Sequence, residues 1–274
     1  MPGPETRTAL ITGATNGLGR ALAGRLAEAG WSVLVHGRDE TRGAETVTEL
    51  AGRAGGDVHF LRADLASLDE VRALADLVAA ETDRLDVFVS NAGIGHAGNG
   101  QDHRVTSVDG HELRFAVNYL AGYLLVRRLL PLLRRSAPAR IVNVSSAGQA
   151  AIDFDDVMLE RSYTGVQAYC QSKLAQVMLT YDLAEELEGT GVTVTALHPA
   201  TFMPTKMVLE AGISPTSELE VGVETTLRLI ADPELEGVSG VYFDRMRPAE
   251  PHSQARDPEA RAQLRELSDR LCGL

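Results

Sequence analysis

Cysteine is scarce in this chain of 274 residues, which has only Cys170 and Cys272. Two cysteines cannot build a disulfide framework or a cysteine-based metal cluster. The seven histidines show no HExxH or comparable metal spacing. We therefore predict no metal site, and reduced thiols favour a cytoplasmic protein.

Positive charge is also in short supply. Lysine and arginine together number 26 against 38 aspartates and glutamates, which gives a net charge of −12. Nucleic-acid-binding domains normally carry a basic patch. The balance therefore predicts that nucleic acid is not a partner.

Long hydrophobic runs are missing as well. The most apolar helix candidate, YLAGYLLVRRLLPLLRR, is interrupted by Arg127 and Arg128, whereas a membrane span needs roughly 20 mostly apolar residues. The N-terminal stretch MPGPETRTALITG has no basic segment followed by an apolar run, as a signal peptide would. We predict a protein without a membrane partner.

Short apolar, β-branched runs alternate instead with longer amphipathic segments. The strand candidates cover residues 8–13, 31–37, 58–63, 85–90, 140–145, 192–197 and 240–243. Asp39 and Ser67 are predicted helix N-caps, and Gly30 is a predicted helix-ending glycine. Repeated strand–helix–strand order predicts an α/β fold, a doubly wound seven-stranded parallel sheet with helices on both faces.

No linker or change of composition divides the chain, so residues 1–274 are expected to form one domain. Two segments fit the alternation poorly, at about 149–165 and 201–217. Loops beyond strand ends are where such sheets bind ligands. We expect these two loops to contact the substrate.

A glycine-rich turn, TGATNGLG, closes the first strand and opens the first helix. Its glycines at 13, 17 and 19 permit a tight turn and let backbone N–H groups approach a pyrophosphate at a helix N-terminus. A glycine-rich turn alone can also be just a turn. Its position between a strand and a helix favours dinucleotide binding.

The spacing GxxxGxG resembles that of the short-chain dehydrogenase/reductase superfamily, and the resemblance runs from Thr8 to the C-terminus. It implies a Rossmann fold and a nicotinamide cofactor. The cofactor contacts that it implies in this chain are Gly13, Thr15, Asn16, Gly17, Leu18, Gly19, Asp64, Leu65, Asn91, Ala92, Gly93, Pro199, Thr201 and Phe202. Thr205 is an alternative hydroxyl to Thr201.

The end of the second strand reads HGRD and bears on the choice of cofactor. NAD binders usually place an acid here, but the expected position is Gly37, and Arg38 follows. A guanidinium can bind a 2′-phosphate with paired hydrogen bonds. We favour NADP(H) over NAD(H), while Arg38 could instead pair with Asp39 or Glu40.

Four polar residues match the catalytic tetrad of the superfamily in chain order: Asn118, Ser146, Tyr169 and Lys173. Tyr169 and Lys173 are four residues apart, so a helix brings the two side chains together. A nearby ammonium lowers the pKa of a phenol, which suits Tyr169 as general acid or base. By resemblance, Tyr169 and Lys173 also contact the cofactor, Ser146 binds the substrate oxygen, and Asn118 supports Lys173.

The motif YCQSKLAQ and the tail YFDRMRPAEPH resemble the retinol-dehydrogenase-like branch. We therefore expect a carbonyl–alcohol oxidoreductase for a bulky apolar small molecule. Apolar residues of the two loops are the candidate pocket wall: Phe154, Val157, Met158, Phe202, Met203, Met207, Val208 and Leu209.

Other functions stay open on the same fold. They are an NADP-binding sensor or scaffold without turnover, and an NADP-dependent isomerase or dehydratase. The resemblance also implies a homo-oligomer, a dimer or tetramer, formed through the helices around Asn118 and Tyr169.

Overall fold

The computed structural model describes residues 6–52, 56–96 and 103–274. The first five residues of the N-terminal stretch, where the sequence predicts no signal peptide, lie outside these ranges. No helix in the described ranges is long and apolar enough to cross a membrane.

A single sheet runs through the molecule. Its strands are β1 (Thr8–Ile11), β2 (Ser32–Gly37), β3 (Val58–Arg62), β4 (Val87–Ser90), β5 (Ala139–Val144), β6 (Val192–His198), β7 (Val241–Asp244) and β8 (Arg247–Pro248). The order across the sheet is β3-β2-β1-β4-β5-β6-β7-β8. The first seven strands are parallel, as predicted, and β8 pairs antiparallel with β7. The sheet thus has eight strands rather than seven, because a tight turn after β7 adds a two-residue edge strand that is too short to give a sequence pattern.

Helices cover both faces of this sheet. They are α1 (Gly17–Glu28), α2 (Glu40–Ala51), α3 (Leu68–Glu81), α4 (Ala121–Arg135), α5 (Gly165–Glu186), α6 (Lys206–Glu210), α7 (Leu219–Ala231) and α8 (Pro258–Cys272). A π-helical segment, Phe115–Leu120, leads directly into α4. Alternate strand residues contribute to two apolar cores, one with α3, α4, α5 and α8 and the other with α1, α2 and α7.

Local sequence explains where several helices begin and end. Asp39 accepts a hydrogen bond from the Arg42 amide, and Ser67 accepts one from the Glu70 amide, so both predicted N-caps are confirmed. Gly30 follows α1 with a φ of 82°, a conformation that glycine adopts without steric cost. The two N-caps fix helix starts close to the carboxyl edge of the sheet, where β2 and β3 end.

The strand order places the ligand-binding edge. β1 pairs with β2 on one side and with β4 on the other, so the direction of winding reverses between β1 and β4. Ligands of open α/β sheets bind outside the carboxyl ends of the strands at such a point. The turn after β1, which contains the glycine motif, lies there.

Candidate active site

A cavity of about 690 Å³ opens along the carboxyl edge of the sheet. Every residue that the resemblance implies for cofactor binding lines it, from the glycine turn through Arg38, Asp64 and Asn91 to Phe202. Ser146, Tyr169 and Lys173 line it as well. The predicted cofactor and catalytic residues are therefore brought together at one site, apart from Asn118, which lies behind the wall.

The glycine turn is packed so closely that side chains would not fit. A Cβ at Gly19 would lie 2.5 Å from both Asn91 Nδ2 and Gly13 O, and Gly13 has a φ of 66°. Asn16 precedes α1, and its side chain makes no capping hydrogen bond with any described residue. The first N–H groups of α1 are thus left for a ligand, which suits an anion.

The turn after β4 braces this loop. Thr12 Oγ1 accepts hydrogen bonds from the amides of Asn91 and Ala92, at 3.0 and 3.1 Å. Asn91 Nδ2 donates back to Thr12 O at 2.8 Å. The turns after β1 and β4, between which the direction of winding reverses, are therefore joined to each other beneath the cavity.

His36 is a member of the site that the sequence analysis missed. Its Nδ1 accepts a hydrogen bond from the Gly13 amide at 3.2 Å, and its Nε2 lies 3.1 Å from Ala63 O. Because Gly13 N–H is a donor, the proton must be on Nε2. Burial lowers the pKa of His36 to about 4, so the ring is neutral. The available signal was one polar side chain inside the apolar run WSVLVHG.

Of the charged groups after β2, Asp39 and Arg42 pair with each other, whereas Arg38 has no partner among the described residues. Asp39 accepts hydrogen bonds from the amide and the guanidinium of Arg42, and these bonds lower the pKa of Asp39. The Arg38 guanidinium is exposed beside the cavity and pairs with no residue that the structure describes. Arg38 therefore does not pair with Asp39 or Glu40 here.

The segment after β6 closes the cavity opposite the glycine turn. Thr201 Oγ1 lies 3.1 Å from His198 Nε2, and burial lowers the pKa of this histidine. The Thr205 side chain reaches Gly17, since a Cβ there would lie 3.2 Å from Thr205 Cγ2. Of the two candidate hydroxyl residues, Thr205 is thus the one beside the glycine turn.

The two serines at the end of β5 face opposite ways. Ser145 is buried, and its Oγ donates to the Lys173 carbonyl at 2.7 Å. Ser146 Oγ accepts from the Gly148 amide at 3.0 Å, and the Ser146 hydroxyl is close enough to Tyr169 to lower its pKa. Alternation along a strand accounts for the difference, and it leaves Ser146 facing the cavity.

Tyr169 and Lys173 share a face of α5, with Lys173 Nζ 5.8 Å from the centroid of the phenol ring. Burial raises the pKa of Tyr169, and the neighbouring Ser146 hydroxyl opposes part of this rise. The expectation that Lys173 lowers this pKa is therefore corrected, since the largest contribution is burial, which raises it. Burial also lowers the pKa of Lys173 to about 7, which weakens the ammonium's influence.

Asn118 lies in the π-helical segment, almost fully buried. Its Oδ1 accepts from the Ile94 amide at 2.8 Å, and its Nδ2 donates to Ile94 O and to Ser172 Oγ at 3.1 and 2.9 Å. Asn118 thus joins the turn after β4 to α5 beside Lys173. It supports the wall of the cavity from behind.

The substrate end of the cavity has an apolar wall. Of the two predicted loops only the second contributes to it, and its Leu209 is exposed instead. The described lining there includes Ile94, Leu113, Val117, Phe202, Met203, Met207, Val208 and Ile213. Phe154 and Met158 pack against the core, and Val157 is buried within it. The polar groups of the 149–165 loop explain this, because they bond within the loop or to neighbouring elements.

These features fit a nicotinamide dinucleotide. The crowded glycine turn and the uncapped α1 N-terminus suit its diphosphate, and the cavity runs from there to Tyr169. Within the described residues, no three His, Cys, Asp or Glu side chains are placed to share a metal ion.

Comparison with known proteins decides the family. A profile of the family described as short chain dehydrogenase matches residues 7–213. The chain belongs to this family. It is 37% identical to Homo sapiens retinol dehydrogenase 14, over 98% of this chain and 87% of that protein. The predicted retinol-dehydrogenase-like branch is thereby confirmed.

Solved structures agree with this short-chain dehydrogenase assignment. A Mycobacterium paratuberculosis protein superposes with a TM-score of 0.80 at 28% identity, covering 97% of this chain and 93% of that one. Pseudomonas aeruginosa RhlG, solved with NADP, gives a TM-score of 0.70 at 31% identity, covering 87% and 94%. The class of chemistry is therefore carbonyl–alcohol oxidoreduction with a nicotinamide cofactor.

Proposed function

We propose that the protein is an NADP(H)-dependent oxidoreductase that interconverts a bulky apolar ketone or aldehyde and its alcohol, with Tyr169 as general acid and base. One observation carries the proposal. Ser146, Tyr169 and Lys173 meet on one wall of a cavity whose other end is the glycine turn. A dinucleotide lying along the cavity would reach from the glycine turn to these three side chains.

The chain's own residues supply what the reaction needs at oxygen. The bound nicotinamide supplies or accepts the hydride at carbon. Ser146 Oγ already accepts from the Gly148 amide, so its O–H is available to a substrate oxygen on which negative charge develops. The Tyr169 phenol is protonated at neutral pH, as an acid for reduction must be, and burial raises its pKa further.

Lys173 complements the phenol from the next turn of α5. With its pKa lowered to about 7 by burial, the amine can hold or release a proton near neutral pH. In this proposal, it binds the nicotinamide ribose and exchanges a proton with Tyr169. Asn118 keeps the neighbouring turn in place from behind the cavity wall.

The shape and lining of the cavity support an apolar substrate. Met203, Met207 and Val208 form adaptable apolar walls. A human relative at 37% identity is named for retinol, a bulky apolar alcohol. We extend that substrate class, not that substrate, to this chain.

A substrate panel tests the function. Apolar aromatic and long-chain aldehydes and ketones are offered with NADPH, beside small polar carbonyls of the same reactive group. We expect NADPH oxidation with the bulky apolar members. Turnover limited to small polar members would contradict the substrate class. NADPH binding without turnover would favour a sensor, and a product without net redox change would favour an isomerase or dehydratase.

Arg38 tests the cofactor preference. If its guanidinium binds the 2′-phosphate, Arg38→Ala should weaken NADPH binding by roughly 10- to 100-fold, the worth of a hydrogen-bonded charge. NADH lacks this phosphate, so its affinity is the internal control and should not change. Fluorescence titration measures both. Equal binding of NADPH and NADH by the unaltered protein would contradict the preference.

A further inference from the structure

Gln176 lies directly behind the catalytic lysine. It follows Lys173 by three residues on α5, and its side chain is buried. Lys173 Nζ donates to Gln176 Oε1 and to Val144 O, each at 2.9 Å. The amine therefore has two acceptors, and both are uncharged.

The orientation of the Gln176 amide is determined by this contact. The opposite orientation would place its NH₂ group against the ammonium form of Lys173, donor against donor. Gln176 Nε2 has no hydrogen-bond partner among the described residues. A buried donor is thus left unsatisfied while the oxygen is kept for Lys173, which points to a role of the oxygen beyond packing.

The groups around Lys173 leave its charge otherwise unopposed. The titratable side chains of the elements around it are Tyr169, Cys170, Tyr181, Asp182, Glu185 and Glu186 on α5, His96 after β4, Tyr119 beside Asn118, Arg140 on β5 and His198 on β6. The three carboxylates of α5 pair with arginines. Tyr119 bonds to Ser268, Arg140 to carbonyls of α7 and the residue after it, and His198 to Thr201. No carboxylate in the described ranges pairs with Lys173.

We infer that Gln176 is a positioning residue whose neutral amide oxygen holds Lys173 at Tyr169 without fixing its proton. The inference rests on the proposed function for its catalytic meaning. A carboxylate at this position would also hold the amine, but it would stabilise the ammonium form. The neutral oxygen keeps the amine in place and still able to exchange a proton near neutral pH.

The chain contains only two lysines, Lys173 and Lys206, which makes a direct test possible. Protein labelled with ¹³C at lysine Cε gives two signals, and Lys206→Arg assigns them. The signals are titrated in the unaltered protein, Gln176→Glu and Gln176→Met. We expect the pKa of Lys173 to rise by roughly one to three pH units in Gln176→Glu and to fall in Gln176→Met, where an acceptor is lost.

A matched variant separates this contact from a general effect of buried charge. Gln171 is buried on the same helix, but its Nε2 donates to Val157 O, away from Lys173. Gln171→Glu should move the Lys173 titration less than Gln176→Glu does. Equal displacement in these two variants, or identical titration of Lys173 in the unaltered protein and both Gln176 variants, would overturn the inference.

Turnover provides the second readout. The limb of the pH–rate profile that follows Lys173 should move to higher pH in Gln176→Glu, in step with the NMR titration. A displaced titration together with an inactive unaltered protein would support the contact while rejecting the proposed function. A displaced titration with an unmoved profile in an active enzyme would overturn the catalytic role of Gln176.

Discussion

At the scale of single residues, His36 shows how one buried side chain can organise a turn. It accepts from the Gly13 amide and contacts Ala63 O, so it joins the ends of β1, β2 and β3 beneath the cavity. Both contacts need the neutral ring with its proton on Nε2. Protonation would set a second donor against Gly13 N–H.

This requirement predicts acid sensitivity. The pKa of His36 is near 6.5 in the unfolded chain and about 4 in the folded protein. Its contribution to stability is present above pH 6.5 and is lost as the pH falls toward 4, because only the unfolded chain takes up the proton. By pH 4.5 the loss should reach about 2 to 3 kcal/mol.

Urea unfolding between pH 7 and 4.5 measures this loss. His36→Gln can still donate and accept but does not titrate, so its stability should fall by correspondingly less over the same range. Parallel pH dependences in the two proteins would contradict the account of His36.

Residues such as His36 and Gln176 escaped the sequence analysis for a physical reason. Gly13, Ser146 and Tyr169 stand in motifs whose spacing already limits what they can do. His36 and Gln176 gain their roles from partners on other strands or from a side chain's direction, which spacing alone does not specify. An i,i+3 relation to Lys173 was the one available signal for Gln176.

At the scale of elements, the sequence predicted the helix starts and strands that depend on residues close together in the chain. Asp39 and Ser67 cap their own helices, and the strand runs follow from burial on both faces. The direction in which the 149–165 loop packs could not be predicted from the sequence. Its apolar residues could equally face the cavity or the core, and the structure places them against the core.

A buried ion pair, just before the π-helical segment, contacts two irregular stretches of the chain. Arg114 and Glu112 are fully buried, with 3.7 Å between Nη1 and Oε1. Arg114 also donates to Gly95 O at 2.7 Å and to the Tyr163 hydroxyl at 2.5 Å. The pair thus ties the turn after β4, at the cavity wall, to the segment that leads into α5.

Removal of one partner should therefore be costly. Arg114→Met leaves the Glu112 carboxylate buried without its cation, and we expect a loss of about 3–5 kcal/mol in the free energy of unfolding. Replacing both, as Glu112→Gln with Arg114→Met, should recover part of that loss. Chemical denaturation measures all three proteins. A single-variant loss below about 1 kcal/mol would mean that the pair is not a structural tie.

At the scale of the whole molecule, the parallel sheet and its two helical layers followed from the alternation of strands and helices. The sequence did not predict where α8 packs, because its leucine spacing indicates a helix but does not identify the elements against which that helix lies. The Tyr119 hydroxyl shares a hydrogen bond with the Ser268 hydroxyl of α8. The Tyr123 hydroxyl donates one to Asp269 of the same helix.

This packing bears on association. α8 covers part of the surface beside Asn118 through which the family resemblance implies a homo-oligomer. The dimer or tetramer stays a prediction, as does the cytoplasmic location. If the implied interface uses α4 and α5, a second copy would meet the part of their surface that α8 leaves open.

The central claim is that Tyr169 transfers the proton while the cavity aligns NADPH with an apolar carbonyl. The most direct measurement is single-turnover oxidation of bound NADPH by the unaltered protein and by Tyr169→Phe, with cofactor binding verified in each by fluorescence. We predict that the variant binds NADPH as before and loses roughly 10²- to 10⁴-fold in rate, the worth of a general acid. A near-normal rate in Tyr169→Phe would contradict the account.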